Sequence, residues 1–229
     1  MSHMRHLILC AALAATPAAA TDDCTEDAMV VFDGSGSMAE MGFNQIGGPR
    51  IIAARQAMRD VMPDLAANRR LGLIIYGPGG VDGCTGLDLR FAPQAGAADR
   101  IIADVDGLEP SGDTALTQAV QMAAVTLEYQ RKPGTIVLVT DGKETCGGAP
   151  CQLATLLAHD GPELTVHVIG FKVRGQHFSW ESQGNTDYVE AETVSRCLAD
   201  ATGGKYVSAE TLDELIAALR LTLGCNVMF

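Results

Sequence analysis

The sequence predicts a doubly wound α/β fold: a mainly parallel six-stranded sheet with one antiparallel edge strand and helices on both faces. Three observations carry this. Short runs rich in Val, Ile and Leu alternate with longer stretches of helical period, the pattern of alternating strands and helices. The runs beginning at 28, 71, 135 and 164 are continuously apolar, as strands covered on both faces must be. The runs at 71 and 87 are joined by the glycine-rich GPGGVDGCTG, which suits a hairpin and therefore an antiparallel edge.

Taken in order, AMVVFD (28 to 33) is the first strand. A helix RIIAARQAMRDVM follows, with Pro49 where an opening helical turn accepts proline. LGLIIYG (71 to 77) and LDLRF (87 to 91) form the hairpin. The helix ALTQAVQMAAVTLEYQ precedes the strand TIVLVTD (135 to 141), and a helix ending at His159 precedes LTVHVIGF (164 to 171). The helix VEAETVSRCLADAT is stopped by Gly203 and Gly204 ahead of the strand KYVSA (205 to 209). Thr211 and Glu214 read as a capping box, after which Leu212, Leu215, Ile216 and Leu219 recur on one face. One segment is irregular, KVRGQHFSWESQGNTDY (172 to 188), and it holds the sole tryptophan, Trp180. Its Phe178, Trp180 and Tyr188 either anchor a partner or fold back onto the core.

The 229 residues are enough for one domain with a sizeable core. MSHMRHLILCAALAATPAAA has the order of a secretory signal peptide, with cleavage expected after Ala20 and a single domain over 21 to 229. Its apolar segment is too short for a membrane span of ~20 residues. Removing residues 1 to 20 takes away Arg5 alone among charged residues, so the net charge moves from -12 to -13. So acidic a chain disfavours nucleic acids and anionic membranes and suits cations.

Six cysteines then remain, Cys24, Cys84, Cys146, Cys151, Cys197 and Cys225. An even number in an exported chain reads as disulfides, in a periplasm or outside the cell. Cys24 precedes the first strand and Cys225 follows the last helix, so these two are expected to pair. The other four allow three pairings, with Cys146 to Cys151 and the combination of Cys84 to Cys146 with Cys151 to Cys197 both credible. A zinc site at CGGAPC finds no nearby histidine.

Right-handed crossovers place the first strand centrally, and a ligand crevice opens at the carboxyl ends of the strands where the winding switches direction. DGSGS, after the first strand, and TDGKE, after the 135 strand, are expected side by side there. Phosphate is a poor occupant, because Asp33 leads the glycines and no lysine follows until Lys132. A nucleophilic serine lacks a base: His159 ends a helix, His167 alternates within a strand and His177 lies in the irregular segment. A hard divalent cation accounts for more of the residues, since Asp33, Ser35 and Ser37 alternate along one loop and Asp141 adds a second carboxylate.

DGSGS (33 to 37), SGDTAL (111 to 116) and VTDG (139 to 142), in that order, resemble the three loops of a von Willebrand factor type A domain, over about Met29 to Leu223. ETC, PC and ATGG lie where exported bacterial members of the family carry them. The resemblance implies a Rossmann-like sheet and a metal-ion-dependent adhesion site. Ser35, Ser37 and Thr114 would coordinate through hydroxyls, with Asp33 and Asp141 binding directly or through water. Mg2+ is the implied ion, with Mn2+ or Ca2+ as alternatives, and one position stays open for a carboxylate of a protein partner.

The function expected is therefore a non-enzymatic, metal-dependent protein-binding module of the bacterial envelope, monomeric on its own. The alternative is a metal-activated hydrolase, for which Glu144 and Asp113 are the only nearby candidate bases. In some relatives movement of the last helix changes affinity at the metal, so a tether at Cys225 implies a constitutive binder.

Overall fold

A computed structural model describes residues 26–41, 48–171 and 195–225. The elements run β1 (Asp27–Asp33), a 3-10 turn (Gly36–Ala39), α1 (Arg50–Asn68), β2 (Leu71–Tyr76), β3 (Leu87–Gln94), α2 (Ala98–Asp106), α3 (Leu116–Thr126), β4 (Gly134–Thr140), α4 (Pro150–Asp160) and β5 (Leu164–Phe171). Then come α5, whose described part is 195–201, β6 (Tyr206–Ala209) and α6 (Leu212–Leu223). The sheet order is β3-β2-β1-β4-β5-β6, with β3 antiparallel to β2 and every other pair parallel.

Strand periodicity explains how β1 holds the centre. Ala28, Val30 and Phe32 pack with α1, α2 and α6 on one face. Met29 and Val31 pack with α3, α4 and α5 on the other. All five are wholly buried, so between Asp27 and Asp33, which bound it, β1 carries no polar side chain. Its neighbours β2 and β4 continue in opposite directions, so the winding switches at β1 and β4, where an α/β sheet opens a crevice.

Two helices and one strand depart from the expected bounds. α1 continues through Pro63 to Asn68, because proline removes one amide bond without unseating a face pinned by Val61, Met62 and Leu65. α3 stops at Thr126, since the chain turns over with Glu128 at φ 57 and reaches β4 after Pro133. β3 extends to Gln94 and carries Pro93 at the sheet edge, where an absent amide is tolerated. α2 was not foreseen, yet Ile101 and Val105 repeat at helical spacing and are its buried residues.

The capping box of Thr211 and Glu214 is present, with both reciprocal bonds made. Two disulfides join Cys84 to Cys146 and Cys151 to Cys197. The pairing of Cys24 with Cys225, the cleavage site at Ala20, His177 and the segment 172 to 188 with Trp180 lie outside the described residues. Among the described residues no helix is long and apolar enough to cross a membrane.

Candidate metal centre

Three loops meet at the carboxyl end of β1 and β4. The first and second are bonded by their backbones, Gly36 N–H to the Gly112 carbonyl at 3.0 Å and Ser111 N–H to the Gly34 carbonyl at 2.9 Å. The second and third are joined by Thr145 N–H to the Thr114 carbonyl at 3.0 Å and Thr114 N–H to the Thr145 hydroxyl at 2.8 Å. Glycine is required where these loops crowd. A Cβ at Gly34 would sit 2.9 Å from the Tyr76 carbonyl oxygen, and Gly77, at φ +108, would press one onto Ser35. The bare backbone thus serves the approach of one loop to the next.

Four of the five expected ligands form one hydrogen-bonded chain. Asp33 Oδ1 accepts from Ser35 N–H at 2.9 Å, the Ser35 and Ser37 hydroxyls lie 3.0 Å apart, and Ser37 Oγ donates to Asp141 Oδ1 at 2.7 Å. The loop is extended only to Ser35; Ser37 belongs to the 3-10 turn, whose curvature brings its hydroxyl back to the same point. Thr114 is also buried, and its Oγ1 faces the third loop, 4.0 Å from where a Cβ at Gly142 would stand.

The other oxygen of Asp33 is held by a relay that sequence reasoning missed. Tyr76 donates its hydroxyl to Thr140 Oγ1 at 3.1 Å, and Thr140 donates to Asp33 Oδ2 at 2.7 Å. Burial, with Asp33 beside it, pushes the Tyr76 phenol well above its ordinary range, so it stays a neutral donor. Burial and then the charge of Asp33 push Asp141 up to about 7, with Arg50 opposing the shift. Two carboxylates are therefore held together, away from water, at a point that favours positive charge.

The donor set fits a hard divalent cation. Asp141 Oδ2 is buried without a hydrogen-bond partner, and the five candidate ligand side chains offer oxygen alone. Among the described residues no three His, Cys, Asp or Glu side chains gather at one point, so nitrogen and sulfur sites have no counterpart here.

Glu144 is a staple of the third loop. Its Oε2 accepts from the N–H and hydroxyl of Thr117 at 2.8 and 2.5 Å, and its Oε1 from Cys146 N–H at 2.8 Å. Both oxygens are therefore committed to structure, which leaves this candidate base poorly placed for proton transfer. Asp113 keeps its Oδ2 3.9 Å from the Cys84 sulfur. His167 Nδ1 accepts from Lys205 N–H at 3.0 Å within the sheet, and His159 pairs with Asp160 at the end of α4.

A second residue missed by sequence is Arg50, the first of α1. Its side chain is 6% exposed, its Nη1 donates to the Ser37 carbonyl at 2.9 Å, and its Nε lies 3.4 Å from Asp141 Oδ2. A signal was present: a cation opens this helix with no acid in its first turn, the end where the helix dipole disfavours positive charge.

Comparison with known proteins agrees with this architecture. The protein YwmD of Bacillus subtilis (strain 168) is 28% identical over 220 residues, covering 90% of this chain and 89% of its own length. The pilus adhesin SpaC of Lactobacillus rhamnosus GG superimposes with a TM-score of 0.64 at 15% identity, over 87% of this chain and 30% of the adhesin. Proximal thread matrix protein 1 from the mussel byssus, in a structure described as having a zinc-occupied MIDAS motif, gives 0.55 at 17% identity, over 88% of this chain and 46% of the mussel chain. At these identities the two structures speak for the fold. The family model of the von Willebrand factor type A domain matches residues 28–144, the stretch from β1 into the third loop. With a little over half of its length matched in this way, the chain belongs to the von Willebrand factor type A domain family.

Proposed function

We propose that this chain is a non-enzymatic binding module of the bacterial cell envelope that recruits an acidic residue of a protein partner through a divalent cation. Asp33, Ser35, Ser37, Thr114 and Asp141 would hold the ion, with Mg2+ favoured by the all-oxygen donor set and Mn2+ or Ca2+ as alternatives. Once bound, the ion supplies an open coordination position for an anionic oxygen.

The observation that carries this reading is the buried Oδ2 of Asp141, which makes no hydrogen bond and faces Arg50 Nε at 3.4 Å, at the end of a hydrogen-bonded chain that starts at Asp33. The serines supply neutral oxygens, the Tyr76 and Thr140 relay fixes the Asp33 carboxylate, and the three bonded loops hold all five residues before any ligand arrives. The adhesin and the mussel matrix protein, the latter described with metal at its MIDAS motif, lend support from the same fold. The two disulfides suit an oxidising compartment, a periplasm or the exterior, reached after cleavage near Ala20.

Titration with Mg2+ should show one site in the protein and none in Asp33→Ala. An envelope extract passed over the immobilised protein should yield a partner in Mg2+ that is released by chelator. A partner retained in chelator, or by folded Asp33→Ala, overturns the reading.

A further inference from the structure

We propose that Arg50 is a fixed cationic member of this site, which weakens its hold on the metal and strengthens its hold on the partner's carboxylate. The inference rests on the metal-site reading above. Two carboxylates alone would bring a bound divalent ion to neutrality and leave little electrostatic reason for a further anion to join. The guanidinium changes that balance. With Arg50 in the same buried cluster, a loaded site carries one positive charge, and an incoming carboxylate neutralises it.

The position of Arg50 argues for this role over a structural one. Its side chain is almost wholly buried, and Nε and Asp141 Oδ2, 3.4 Å apart, are each buried with no hydrogen bond made. A guanidinium that serves structure bonds through each of its nitrogens, frequently in paired bonds with a carboxylate. Here Nη1 is committed to the Ser37 carbonyl, and the nearest further acid, Glu40, stands 3.9 Å away with its side chain 73% exposed. Arg50 thus touches two of the five candidate ligand residues, through the backbone of Ser37 and the carboxylate of Asp141. It also sits at the helix end where a cation is least favoured. Local rules broken together at one buried residue are expected at a functional site.

The test compares the protein with Arg50→Met, which keeps bulk and loses charge, and with Arg50→Lys, which keeps charge. Mn2+ binding is followed by EPR of the free ion, acetate binding to the Mn2+-loaded protein by water proton relaxation, and folding by near-UV CD. Arg50→Met should bind Mn2+ about tenfold more tightly and acetate about tenfold more weakly, with Arg50→Lys staying close to the parent in both. If Arg50→Met does not fold, Arg50→Gln, which retains a donor for the Ser37 carbonyl, takes its place. A folded neutral variant whose Mn2+ affinity is unchanged or weaker, or whose acetate affinity is unchanged, overturns the role of Arg50 and leaves the metal site standing. A parent protein that binds no Mn2+ overturns both.

Discussion

The two ends of α1 each carry a buried arginine, and the two are held in opposite ways. Arg69, just beyond the C-terminus of the helix, has all three guanidinium nitrogens bonded. Its Nε donates to the Glu26 carbonyl at 3.2 Å, its Nη1 to the Leu223 carbonyl at 3.2 Å, and its Nη2 to Glu26 Oε1 at 2.9 Å and Thr135 Oγ1 at 2.6 Å. It stitches α1, β1, β4 and α6 together at the amino end of the sheet, where the helix dipole welcomes a cation. Arg50, at the other end, keeps a buried Nε with no hydrogen bond beside a carboxylate oxygen in the same condition. Burial and charge are nearly equal at the two residues. What separates architecture from a working site is how completely the hydrogen bonds are satisfied.

The sharpest way to break this comparison is at the saturated end. Arg69→Met should cost about 3 kcal/mol of stability, since it takes the donor from the Glu26 and Leu223 carbonyls and removes the cation from the half-exposed Glu26, which keeps only the bond from the Thr135 hydroxyl. Urea unfolding measures the loss, and Mg2+ affinity measured in the same variant should be unchanged, because the site lies at the opposite end of the sheet. Asp33→Asn is the converse. It should lower Mg2+ affinity by about a hundredfold while the metal-free protein unfolds close to the parent midpoint, since the amide removes a charge repelled by Asp141. If unfolding shifts as far as it does in Arg69→Met, the two ends are not divided as described.

Tyr76→Phe falls between them. Removing the hydroxyl leaves Thr140 Oγ1 with only the longer bond from Gly142 N–H, at 3.3 Å, which costs about 1 kcal/mol and loosens the orientation of Asp33. A fall of about tenfold in Mg2+ affinity should accompany it, whereas a relay that is only structural would leave affinity alone. The smallest effect belongs to His167, which is half-buried and has Arg69 among the charges acting on it. Burial first, then Lys205, lowers its pKa from 6.5 to about 4, so the unfolded chain takes up a proton that the folded chain refuses. Its contribution is complete above about pH 6.5 and is lost as the pH falls toward 4. His167→Gln, whose amide oxygen can still accept from Lys205, should flatten the stability profile between those limits relative to the parent.

Much of the sheet was legible because its central strands are buried on both faces and therefore read as unbroken apolar runs. The place of Asp33 and Asp141 followed from the same fact, as each interrupts such a run where a strand ends. Short helix α2 escaped notice, having only two buried residues to set its period. The relay was hidden for a different reason. Tyr76 and Thr140 sit inside strands they fit well, and their part in the site depends on side-chain directions between residues 64 and 107 apart, which no local pattern records, whereas Arg50 breaks the rule for a helix N-terminus and was legible there alone. Of the three pairings allowed for the four middle cysteines, the structure has Cys84 with Cys146, where the loops after β2 and β4 converge over the end of β1, and Cys151 with Cys197, which joins α4 to α5.

That first bridge has a mechanical meaning. Cys84 follows β2 and Cys146 follows β4, the two strands that flank β1, so a covalent strap joins the neighbours of the central strand at the crevice. A pull on this strap would be shared between β2 and β4 and would not fall on one strand alone.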